Sequence, residues 1–82
     1  MHLTVVYYGG LKQETGVKRE TLELPGEALT VRELNDLLRA RHPALERRLQ
    51  SVAYAVNNAI VDGEHPLRDG DEASLLPPVS GG

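Results

Sequence analysis

Only one stretch of this chain carries the pattern of an amphipathic helix, and the remaining apolar residues have to be buried around it. Thr30 precedes Val31, and Glu33 follows Thr30 by three residues. In that arrangement the hydroxyl and the carboxylate can each accept a hydrogen bond from an orphan amide at a helix start. The spacing therefore predicts a helix from about Val31. Val31, Leu34, Leu37, Leu38 and Leu45 recur near helical spacing as one apolar stripe, while Arg32, Asp36, Arg39 and Arg41 point elsewhere. His42-Pro43 ends or interrupts the helix, since the residue before a proline is pushed out of the helical region.

The segments on either side read as short strands. Residues 3 to 8, Leu-Thr-Val-Val-Tyr-Tyr, are the β-branched and aromatic types that suit a pleated surface, and Gly9-Gly10 closes the run. After a polar connection through Gly16, residues 19 to 24 alternate polar and apolar until Pro25-Gly26, as a hairpin partner of the first strand would. Residues 52 to 56 form a third strand closed by the turn pair Asn57-Asn58, with Ala59-Ile60-Val61 as a short return. Asp69-Gly70-Asp71 makes a turn, and residues 73 to 76 form a last strand, ended by Pro77-Pro78 because proline has no amide to donate.

The order is thus β, β, α, β, short β, β. One helix on one face of a small mixed sheet buries the stripe with all strands sharing one core. The expected class is α+β, a β-grasp (ubiquitin-like) fold of about four to five strands and one main helix. In that fold the first and last strands lie parallel in the middle of the sheet. Residues 1–76 are expected to form a single domain and residues 77–82 an extended tail, with no repeat or linker. At 82 residues the core must be thin, because a chain this short buries only a little over roughly 60% of its unfolded surface.

A formal net charge of −3 gives no general attraction to phosphate backbones or anionic lipid, so neither nucleic acid nor membrane is expected as a partner. Five acids between residues 62 and 72 face Arg68 alone, whereas Arg39, Arg41, Arg47 and Arg48 cluster earlier. Such a run reads as a solvated face, with partner steering as the alternative. The beginning of the chain lacks a basic region followed by a long apolar stretch, and no apolar run reaches the length of a membrane span. A cytoplasmic protein is expected.

Few residues suggest a self-contained active site. There is no cysteine, so sulfur chemistry must use another atom. Asp62-Gly63 and Asp69-Gly70-Asp71-Glu72 fit turns better than a calcium loop, and His2, His42 and His65 lack zinc-ligand spacing. Gly9-Gly10 is followed by no phosphate-loop pattern, and Ser51, Ser74 and Ser80 have no histidine and acid at a recognisable spacing. Tyr7, Tyr8 and Tyr54 read as strand packing rather than a docking patch. No metal or cofactor is expected on this chain.

The informative segment is Leu76-Pro77-Pro78-Val79-Ser80-Gly81-Gly82. Two prolines make an extended, non-pairing stem, and two glycines finish it with almost no side-chain bulk. Such a strip can thread a narrow channel in another protein and present a carboxylate for activation. The alternative is an incidental chain end, against which the proline-valine stem argues.

At Thr30-Val31-Arg32-Glu33-Leu34, Leu37-Leu38, Val56-Asn57, residues 66 to 72 and residues 75 to 82, the sequence resembles the MoaD family, the small subunit of molybdopterin synthase, within the MoaD/ThiS ubiquitin-like superfamily. The likeness is weakest after the first strand, where many relatives have a phenylalanine-alanine pair and an arginine but this chain has Tyr8-Gly9-Gly10. The resemblance implies a sulfur carrier. A MoeB-like E1 enzyme, using ATP and magnesium, adenylates Gly82, and a sulfur donor protein then converts it to a thiocarboxylate. Gly81 is the slim approach, and Pro78, Val79 and Ser80 are tail contacts. A MoaE-like large subunit binds cyclic pyranopterin monophosphate and forms a heterotetramer with this chain. The alternatives are a carrier for thiazole or transfer-RNA thiolation, a ubiquitin-like modifier joined to lysines through Gly82, and a plain interaction module.

Overall fold

The computed structural model describes residues 1–78. The strands are β1 (His2–Tyr7), β2 (Arg19–Glu23), β3 (Ala28–Thr30), β4 (Ala53–Val56), β5 (Ala59–Val61), β6 (Pro66–Arg68) and β7 (Glu72–Leu76). Three helices join them: α1 (Gly10–Thr15), α2 (Val31–Arg41) and α3 (Glu46–Leu49), with a 3-10 turn over Pro43–Leu45. Five strands form one sheet in the order β2-β1-β7-β4-β5, and β3 pairs with β6 separately. The first and last strands run parallel at the middle of the sheet, with Val5 opposite Ala73 and Tyr7 opposite Leu75.

Side chains alternate across a strand, and here the alternation decides what is buried. Leu3, Val5 and Tyr7 of β1, Ala73 and Leu75 of β7, and Tyr54 and Val56 of β4 share one face. Val31, Leu34 and Leu38 of α2 join them in a single cluster, with Leu11, Leu45 and Leu49 from the shorter helical pieces and the turn. The stripe read from the sequence is thus the helix side of the core. The helix ends before Pro43, and the 3-10 turn over Pro43–Leu45 brings Leu45 back into it.

The start of α2 explains why this helix is so well defined. Its N-cap and first three amides would have no intrahelical partner, yet each has one. Thr30 N donates to Glu33 Oε1 (2.8 Å), and Glu33 N donates to Thr30 Oγ1 (3.1 Å). Val31 N donates to the His65 carbonyl and Arg32 N to the Gly63 carbonyl, both at 3.0 Å. The capping box is therefore joined to the loop before β6, and the three-residue pairing of β3 with β6 brings that loop to the helix.

Two features differ from the sequence reading. The polar connection after the first strand contains α1, which buries Leu11 alone and ends on Gly16 in the left-handed region. Six residues with one buried position show no period. The β3–β6 pairing was also not anticipated, because three residues each, one of them Pro66, do not show an alternation. The two-residue Asn57-Asn58 turn is as read, with both residues at positive φ (49° and 73°), as the hairpin requires.

Beside the core, Glu20 gathers three donors. Its carboxylate accepts from the Tyr7 hydroxyl (2.5 Å), His42 Nε2 (2.9 Å) and Arg41 Nε (3.2 Å), and the His42 ring meets Tyr7 edge-on at 5.8 Å. Burial pushes the Glu20 carboxyl upward, but the hydrogen bonds from Tyr7, His42 and Arg41 outweigh it, so the carboxyl lies below its ordinary range. Burial, then the bond to Glu20, holds the Tyr7 hydroxyl above the usual tyrosine range.

Two outcomes follow for stability. Thr30→Ala removes one half of the capping box and should cost about 1 kcal/mol in urea unfolding. Because the folded value of Glu20 is lowered, its contribution is present above the ordinary carboxylate value of 4.5 and is lost as pH falls through the folded value. The stability difference between the native chain and Glu20→Gln should therefore be largest near neutral pH and shrink on acidification, as read from unfolding midpoints along a pH series.

Candidate functional site at the root of the tail

β7 lies between β1 and β4 and is paired on both sides. It ends at Leu76, where Pro77 offers no amide to continue the ladder. Pro77 is half-buried and Pro78 exposed. Of the residues singled out in the tail, Pro78 is thus placed at the surface, while Val79, Ser80, Gly81 and Gly82 lie outside the described residues.

Because β1 runs parallel to β7, the residues following β1 emerge beside the tail root. Tyr7 is level with Leu75, so Tyr8 and Gly9 follow alongside Leu76 and Pro77. Gly9 has φ 56° and ψ −131°, a region left to glycine. A Cβ built on it would lie 3.2 Å from Pro77 Cγ. A Cβ on Gly10, the first residue of α1, would lie 2.5 Å from the Arg48 guanidinium. Arg48 Nε donates to Glu14 Oε1 at 2.7 Å, bridging α3 to α1. An open groove of about 770 Å³ runs along this root, with Glu14, Arg47, Arg48, Ser51, Pro77 and Pro78 among its lining residues.

The sheet face away from α2 meets the same root. The strand registers set Arg19, Val6, Ser74, Ala55 and Ile60 in one row across it, with Ala53 and Leu76 beside one another nearer the tail. Arg19 pairs with Glu72 at 3.0 Å. Ile60 is 67% exposed and Tyr8 43%, two of the three large apolar side chains left in solvent among the described residues. Tyr7 and Tyr54 are packed inside, as the sequence suggested, whereas Tyr8, read as strand packing, lies beyond the end of β1 and is exposed. His42 is bound to Glu20, whereas His2 and His65 lie on the surface and partly buried in a loop.

Ser51 lines the groove at the root, and Ser74 lies half-buried in the row across the sheet. The groups at the root are two glycines, one against Pro77 and one against the Arg48 guanidinium, with that guanidinium held by Glu14. Gly9, Gly10 and Arg48 were not recognised as part of this site from sequence. Adjacent glycines directly after a strand were the available signal, but Arg48 read as one member of an arginine cluster.

A mixed five-stranded sheet with its two end strands parallel at the centre, one main helix on one face and a tail leaving the central strand defines a ubiquitin-like β-grasp protein. The chain belongs to the ThiS family, which matches residues 5–82. It is 33% identical over 84 residues to the molybdopterin synthase sulfur carrier subunit of Chlamydomonas reinhardtii, with both chains covered in full. Among solved structures it resembles a protein-protein complex of subunits 1 and 2 of the molybdopterin-converting factor from Helicobacter pylori (TM-score 0.73, 31% identity, both chains fully covered). It also resembles small archaeal modifier protein 1 of Haloferax volcanii (TM-score 0.83, 26% identity, 95% of this chain and 98% of that one). No helix among the described residues is long and apolar enough to cross a membrane.

Proposed function

We propose that this chain is the sulfur carrier subunit of a molybdopterin synthase. The observation that carries the reading is the tail: a central strand that stops at Leu76 and continues into Pro77-Pro78, with a Val-Ser-Gly-Gly ending in the sequence. Full-length similarity to a relative bearing that name supports it. The Gly82 carboxylate attacks the α-phosphate of ATP, held with magnesium by an E1-like activating enzyme, and pyrophosphate leaves. Sulfur delivered by a donor protein at the sulfide level (HS⁻) then adds at the carbonyl, the C–O bond to AMP breaks and AMP departs, leaving a thiocarboxylate. Cyclic pyranopterin monophosphate on the large subunit is the acceptor, and this chain and that subunit form a heterotetramer. Gly81 keeps the approach slim, while Pro78, Val79 and Ser80 make the tail contacts. A chain without cysteine suits this task, because no thiol of its own competes for the activated carbonyl.

The exposed Ile60 and Tyr8 give the large subunit an apolar anchor on the face from which the tail departs. A second reading, a modifier joined to lysines through Gly82, is favoured by the likeness to the archaeal modifier protein. It shares the activation step and differs in the acceptor.

Incubation with ATP, magnesium, the activating enzyme and a sulfur source should shift the intact mass by one oxygen replaced by sulfur, and deletion of Gly82 should abolish the shift without altering the melting temperature. Absence of any shift with a demonstrably active enzyme sinks the carrier reading, whereas isopeptide-linked products in place of a dithiolene favour the modifier. Ile60→Asp should weaken binding to the large subunit about tenfold by calorimetry while leaving stability near that of the native chain, since Ile60 lies outside the core.

A further inference from the structure

Four glycines of the described chain have positive φ: Gly9, Gly16, Gly26 and Gly70. A Cβ on Gly16, Gly26 or Gly70 would meet nothing within 4 Å, as expected of glycines that merely close turns. Gly9 is different, because its missing side chain is where Pro77 packs. Two constraints coincide there: a backbone that other residues rarely adopt, and a contact at 3.2 Å that any side chain would press against the first residue of the tail. One residue on, Gly10 leaves room for the Arg48 guanidinium, which Glu14 anchors from the next turn of α1. Glu14, Arg48 and Pro77 line the same groove.

We propose that Gly9, Gly10 and the Arg48–Glu14 bridge form a seat for Pro77 that fixes the direction in which the tail leaves the sheet, making Gly9 and Arg48 positioning residues for the activation of Gly82. The inference rests on the sulfur-carrier reading above. Proline holds its own φ near one value, so Pro77-Pro78 carries any angular error at the root forward instead of absorbing it. A seated root sets the course of Pro77-Pro78 before the activating enzyme is met, and less ordering then remains to be done on docking. The seat acts before the carboxylate reaches ATP and touches no reacting atom. Its loss therefore raises KM for the carrier and leaves kcat unchanged.

The test is the steady-state rate of thiocarboxylate formation by the activating enzyme at varied carrier concentration, with a melting curve for each variant. Arg48→Ala and Glu14→Ala should raise KM about five- to tenfold at constant kcat, and Glu14→Gln, which keeps an acceptor for Arg48 Nε, should stay within about twofold of the native chain. Gly9→Ala should raise KM similarly. Gly16→Ala places a side chain at positive φ in open space, a milder strain than at Gly9 because Gly16 lies in the left-handed helical region, so it should lower stability somewhat without changing KM. If the native chain is not a substrate, the carrier reading fails and the seat falls with it. If the native chain is processed but the Arg48, Glu14 and Gly9 variants keep the native KM, or Gly16→Ala raises it equally, the seat is overturned and the carrier reading stands.

Discussion

The parallel pairing of β1 with β7 is the contact on which the rest of the structure depends. It joins the beginning of the described chain to its end, with Thr4 opposite Glu72 and Tyr7 opposite Leu75. A parallel pair cannot be closed by a tight turn and needs a long crossover, and here the crossover includes α2. The helix is therefore both the cover of the sheet and the link that lets its central strands lie side by side. The same pairing puts the residues that follow β1 and the residue after β7 at one end of the sheet, which is why Gly9 and Pro77 meet.

The interlock at the start of α2 gives that crossover a definite position. Four amides that a free helix would leave to water are bonded to Glu33, Thr30, His65 and Gly63. The helix is thus tied to the loop that precedes β6, and β6 leads by the turn at Asp69 to β7. The core is apolar apart from two tyrosine hydroxyls, which bond to Glu20 and Asn35, and no buried side-chain nitrogen or oxygen among the described residues lacks a partner. Polar organisation is pushed to the margin, where Glu20 serves Tyr7, Arg41 and His42 together.

Where a pattern repeats several times, the sequence was legible. The stripe from Val31 to Leu38, the capping pair Thr30 and Glu33, the β-branched and aromatic run of β1, and the alternation through β2 and β4 all lead to the observed elements and to the β-grasp order. Elements too short to repeat a pattern were not legible: α1 rests on Leu11, and β3 and β6 on three residues each. The tail was conspicuous by its composition, but the surface that supports its root was not. Arg48 reaches Gly10 across 38 positions of chain, and only the folded arrangement of α3 against α1 brings them together. A glycine that closes a turn and one that accommodates a neighbour look alike in one dimension.

The central place of β7 also bears on how the protein is made. A chain emerges from the ribosome from its beginning onward, so β1, β2, α2, β4 and β5 are all synthesised while the slot between β1 and β4 is still empty. Without Glu72–Leu76 the sheet is two separate hairpins, β1 with β2 and β4 with β5. The strand that joins them is β7, and Pro77 and Pro78 come directly after it. The two hairpins therefore cannot close into one sheet until Glu72–Leu76 has entered between them, and the stretch that completes the body of the fold is the one that runs directly into the root of the tail.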